Sequence, residues 1–159
     1  MMKRIALFFA VLAIAAAQNS VDGSLTVGGK LTKLTQAYAF AAQGFFDKDK
    51  NDTIVLLTNL PLTEAQVRDE FALRRLAREG KMCFVRETIN PAGQIINFSV
   101  GHTAFRMSPS GGSTDHLFKG KQDGKIISGK VYTSRSQKSF EDVKYEYSAT
   151  FKANILPRK

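Results

Sequence analysis

The chain has one cysteine, Cys83, in 159 residues, so an internal disulfide framework is excluded. It has two histidines, His102 and His116, and no tryptophan. With so few ligating side chains, and no recognisable spacing among them, no metal site can be assigned. There is no Gly-x-Ser-x-Gly elbow, no His-Glu-x-x-His pair, no phosphate-binding glycine loop and no obvious pair of acid/base carboxylates. No cofactor is implied, and catalysis stays open without being favoured. No apolar run approaches the roughly 20 residues of a membrane-spanning helix.

The longest apolar run lies at the start of the chain. Lys3 and Arg4 precede Ile5 to Ile14, and Ala13, Ala15 and Ala17 supply the small residues of a cleavage site. This is the three-part pattern of a cleavable signal peptide over residues 1–17. The expected address is periplasmic or secreted. Removing 17 of 159 residues leaves 142, the size of one domain, and loss of Lys3 and Arg4 lowers the formal charge from +9 to +7. That charge serves first to keep the protein soluble. It also makes anionic partners outside the cytosol plausible, namely glycans or lipid headgroups, with nucleic acid disfavoured.

The mature chain divides into a loose lead-in at 18–23 and a single β-rich domain at 24–156. Ser24 to Lys30 and Lys33 to Gln43 read as strands rich in Thr, Val, Leu, Tyr and Phe. Thr53 to Thr58 is nearly all apolar, which predicts a strand covered on both faces. One helix is expected over about 64–79, starting at the Thr63/Gln66 capping box and stopping at Gly80. Its apolar arc holds Ala65, Ala72, Leu73, Leu76 and Ala77, with Asp69 as an intrusion. Arg68, Arg74, Arg75 and Arg78 share the opposite side. Lys81 to Ile89 and Gln94 to Met107 read as strands. Ile96, Phe98, Val100 and His102 fall on one face of the latter. Ser108 to Asp115 reads as a mobile loop. In the last strand, Val143, Tyr145, Tyr147, Ala149, Phe151, Ala153 and Ile155 alternate with polar residues. The expected fold class is therefore α+β, mostly β: an antiparallel β-barrel or two-layer β-sandwich of about 7–8 strands with one inserted helix.

Asp123-Gly124 marks a hairpin. Placing Gln122 opposite Lys125 puts His116, Phe118, Ile127, Gly129 and Val131 on one face. Lys119, Lys121, Ser128, Lys130 and Tyr132 then lie on the other, with Leu117 and Ile126. Three lysines around a tyrosine form a candidate anion-binding strip, which Arg68 and Arg75 of the helix would extend if both surfaces pointed the same way. Asp47-Lys48-Asp49-Lys50-Asn51 begins like a calcium loop. The glycine and bidentate-glutamate positions hold Asp52 and Thr58, so the segment reads as a charged turn. Asn51-Asp52-Thr53 and Asn97-Phe98-Ser99 match the N-glycosylation acceptor. Cys83, in an apolar run, reads as buried and inert.

The leading expectation is an exported, non-catalytic binding protein for an anionic or amphipathic ligand: an envelope glycan, a lipid or a small molecule. The ligand would be held by the lysine strip, the arginine face, or a barrel interior containing Tyr145, Tyr147 and Phe151. The alternatives are a secreted hydrolase using His102 and His116, and an extracellular protein-interaction module presenting an edge strand.

Overall fold

A computed structural model describes residues 18–159. The expected signal, Met1 to Ala17, lies outside the described residues. The fold is mostly β, with 53% strand and 10% helix, and its sheet is strongly curled into a half-barrel. Strands β1 (Ser20–Val27), β2 (Lys30–Leu34), β3 (Gln36–Gln43) and β4 (Asn51–Thr58) are followed by helices α1 (Glu64–Arg68) and α2 (Glu70–Arg78). Then come β5 (Phe84–Ile89), β6 (Ile95–Gly101), β7 (Ser110–Gly111), β8 (His116–Asp123), β9 (Ile126–Thr133), β10 (Gln137–Lys138) and β11 (Lys144–Leu156).

The long strand β11 organises the whole sheet. It lies between β1 and β9, antiparallel to both, and its end at Ile155 and Leu156 runs parallel to Ala39 and Phe40 of β3. It thereby joins β1, β2, β8 and β9 to the meander β3–β4–β5–β6–β7. The two halves face each other across a core that includes Leu25, Val55, Val85, Val100, Val131 and Phe151. The alternation of β11 dictates this arrangement: every second side chain from Tyr145 to Ala153 is buried, and those between are exposed.

Strand β4 is covered on both faces, as its apolar run predicts. Val55 and Leu57 point into the central core, while Ile54 and Leu56 pack under Val67, Leu73 and Ala77 of the helices. The helical segment is two helices, not one. Thr63 and Gln66 form the expected capping box, but Asp69 adopts an extended conformation and accepts a hydrogen bond from Ala72 N at 3.0 Å. The residue that intrudes on a single apolar arc is thus the N-cap of a second helix. The break rephases the chain so that Val67 is buried and Phe71 is 88% exposed.

Several boundaries also differ from expectation. Residues 20–23 belong to β1, paired with β11, and are not a loose lead-in. The single strand expected at 33–43 is two strands separated at Thr35, where the chain crosses between the halves. β6 ends at Gly101, and a bulge between Thr88 and Ile89 pairs Ile89 with Ile95, which packs on the core in place of Ile96. Ser110 and Gly111, expected in a mobile loop, pair with β6. The β8–β9 hairpin turns on Gly124-Lys125, with Asp123 opposite Ile126 and Gly124 at φ 59°. Glycine at the first central position suits a type II′ turn. The register moves by two residues relative to the Asp123-Gly124 reading, so both faces keep their predicted residues.

Candidate functional site

The inner face of the half-barrel carries a buried polar cluster in an otherwise apolar core. His116 opens β8 opposite Thr133 of β9, and the Tyr147 backbone N–H of β11 approaches the same Thr133 hydroxyl at 3.4 Å. Glu87 of β5 stands opposite Phe98 of β6, and both project into the core. Five strands thus converge on one spot. The Tyr147 hydroxyl donates to Glu87 Oε1 and lies 2.7 Å from His116 Nδ1. The Tyr145 hydroxyl lies 3.5 Å from His116 Nε2. The Phe98 ring stacks on the imidazole, with centroids 3.6 Å apart and planes 14° apart.

Burial sets the protonation of each group. It pushes the Glu87 carboxyl up to about 8, against the opposing bond from Tyr147. It pulls the His116 imidazole down to about 4, against the weaker pull of Asp115. It raises Tyr145 to about 12 and, with Glu87 adding to the effect, holds Tyr147 well above the usual phenol range. Near neutrality the cluster is therefore a neutral acid, a neutral imidazole and two neutral phenols. Burying ions here would cost several kcal/mol each, so hydrogen bonding between uncharged groups is the stable arrangement. Among the described residues, Glu87 Oε2 finds no hydrogen-bond partner.

His116 also forms part of the wall of a cleft of about 520 Å³, between the first half of β8 and the turn that leads into β6. Ile95, Ile96, Leu117 and Phe118 give the cleft its apolar walls, and Ser113 and Thr114 add hydroxyls. The Phe118 ring lies over Gly120 and Gly129, which face each other across β8 and β9. A Cβ at either glycine would lie 2.8 or 2.9 Å from that ring.

The two histidines are not brought together. His102 lies beyond the end of β6, and Phe105 and Tyr145 intervene, each within ring-contact distance of its neighbour. His102 Nδ1 accepts from Ala104 N at 3.0 Å. The Asp115 carboxylate bonds Ser134 and Arg135 instead of His116. Neither a His–His nor an Asp–His pair is formed for hydrolysis.

Lys119, Lys121, Lys130 and Tyr132 do share the outer face of β8 and β9. Arg68 and Arg75 do not join them, because the helices cover the outside of the opposite half. Arg68 is also occupied: its guanidinium lies 4.9 Å from the Phe40 ring centroid and donates to Pro157 O. In the charged turn, Asp52 accepts from Phe45 N and Asp47 from Asp49 N, so these carboxylates serve the local backbone. Cys83 is buried, with its thiol pushed up to about 11.

Sequence reasoning placed Tyr145 and Tyr147 on a buried face and His116 on the hairpin face opposite the lysines, but did not single out Glu87. The signal for Glu87 is alternation: Val85, Glu87 and Ile89 occupy the same face of a strand whose other members are buried. No described helix is long and apolar enough to cross a membrane. No family model matches the chain, and no curated protein or solved structure matches it either.

Proposed function

We propose that this chain is an exported, non-catalytic binding protein whose ligand is a small amphipathic molecule held in the cleft beside His116. One observation carries the reading. The cleft between β8 and β6 has a volume in the usual range for small-molecule sites, four apolar walls, and a buried hydrogen-bonding cluster behind one of them. An apolar body would lie against Ile95, Ile96, Leu117 and Phe118, and a hydrogen-bonding end would meet the hydroxyls of Ser113 and Thr114 near His116. A neutral imidazole favours an uncharged polar group there over a strong acid. Export rests on the signal pattern of residues 1–17, and N-terminal sequencing of the secreted product would begin at Gln18.

A dye-displacement titration tests the binding reading. An uncharged solvatochromic dye such as Nile red serves as reporter and medium-chain alcohols as competitors. Phe118→Ala removes one wall and should weaken alcohol binding about tenfold, the loss expected for one buried aromatic contact worth ~1.4 kcal/mol. Lys130→Glu, on the outer face, should leave it unchanged. Equal affinities for wild type and Phe118→Ala, in protein that melts cooperatively, would remove the cleft from consideration.

A further inference from the structure

The outer face of β8, β9 and β11 carries a second feature, independent of the cleft. Lys119 stands directly opposite Lys130, and Lys130 directly opposite Thr150. On the next rung Lys121 stands opposite Ser128, and Ser128 opposite Lys152. Four exposed lysines and two hydroxyl residues thus occupy two adjacent rungs of three neighbouring strands. With strands about 4.8 Å apart, this is an open, charged patch about 10 Å wide. Like charges directly opposite each other on neighbouring strands are destabilising. Among the described residues none of the four lysines is in an ion pair. Asp22 closes the first rung beyond Thr150 and pairs with none of them. A sheet that keeps such a cluster uncompensated has anion-binding capacity to spare.

We infer that this face is a docking surface for an acidic polysaccharide. Charge complementarity calls for a polyanion, and an open face without a pocket suits a chain that lies across strands better than a single held ion. Lysines bind carboxylate and sulfate as hydrated point charges and do not require the fixed fork geometry of arginine. Ser128 and Thr150 offer donors and acceptors to sugar hydroxyls. The adjacent ring, Tyr132, is half-buried and has the Lys130 ammonium 5.3 Å from its centroid, so no free ring is presented for base stacking. Neither rung carries an apolar side chain that could enter a bilayer.

The test is equilibrium binding to immobilised polygalacturonate and dextran sulfate, with neutral dextran, single-stranded DNA and anionic lipid vesicles as parallel arms. Binding to the acidic polysaccharides should fall at least tenfold in Lys119→Gln/Lys130→Gln, and should weaken steeply as salt rises. Arg75→Gln/Arg78→Gln removes the same charge from the helix layer and should leave binding intact. If the first double variant fails to fold, Lys121→Gln/Lys152→Gln on the second rung carries the same expectation. Absence of binding overturns the inference, as does an equal loss in both charge-matched variants, which would reflect net charge alone. DNA or vesicles binding as tightly as the polysaccharides would overturn the choice of partner.

Discussion

The Tyr147 hydroxyl donates to Glu87 Oε1 while lying 2.7 Å from His116 Nδ1, so a carboxyl from one half of the barrel and an imidazole from the other meet on a single phenol. This contact links β5, β8 and β11 through the core. It also ties the stability of the fold to pH.

Glu87 and His116 act in opposite directions. Folding raises Glu87 from 4.5 to about 8, so the folded state holds a proton that the unfolded state loses, and stability falls as pH rises between those values. Folding lowers His116 from 6.5 to about 4, so stability falls as pH drops through that interval. The slopes cancel between about 4.5 and 6.5. Above 6.5 the Glu87 effect stands alone until about 8, worth on the order of 2 kcal/mol at ~1.4 kcal/mol per pH unit. Urea denaturation of wild type should show an alkaline decline above about pH 6.5, and Glu87→Gln should abolish that decline. A decline that persists in the variant would place its origin elsewhere.

Asp69 makes the second prediction. Its carboxylate caps α2 through Ala72 N. Asp69→Ala should lower stability by about 1 kcal/mol, read as a shifted urea midpoint with unchanged slope. The loss should not be recovered by fusion into one helix, because straightening the chain at residue 69 would turn Val67 out of the core.

Cys83 is buried, and its thiol is pushed up to about 11. The native protein should therefore resist alkylation by iodoacetamide at pH 8, and one equivalent should react on unfolding in guanidinium chloride. Rapid labelling of the folded form would show the Cys83 environment to be more open than described.

Lys119 separates folding from binding. Lys119→Glu replaces a repulsive cross-strand pair by an attractive one with Lys130, and should raise stability by about 0.5 kcal/mol in thermal or chemical melts. The same change should weaken polyanion binding. A stabilised variant that still bound the polysaccharides fully would mark the lysines as a solubility feature.

Legibility in the sequence followed the strength of the local signal. The alternation of β11 and the apolar run of β4 stated which faces are buried, but the choice between a barrel and a sandwich depends on how the strands pair, which neither pattern states. The hairpin faces were legible because a shift of two residues preserves side-chain parity; its register was not, because Gly124 fits either central position of the turn. The helix break was hidden because Asp69 reads equally as a flaw in one helix or the cap of another. The site was legible only in part. Tyr147 could be placed on a buried face and His116 on the hairpin face away from the lysines, but their meeting depends on how β8 and β11 are staggered, and Glu87 lies 60 residues from Tyr147 in the chain. The separation of His102 from His116 follows from the end of β6 at Gly101, which no local signal marks.

The central claim is that the cleft beside His116 takes the apolar part of an amphipathic ligand. Its most direct test is a two-dimensional ¹H–¹⁵N NMR titration of residues 18–159 with decanol. The account predicts saturable shifts concentrated at residues 93–96 and 113–118, absent in Phe118→Ala. Shifts centred on the helices or on the outer lysine face, or none at saturating decanol, would contradict it.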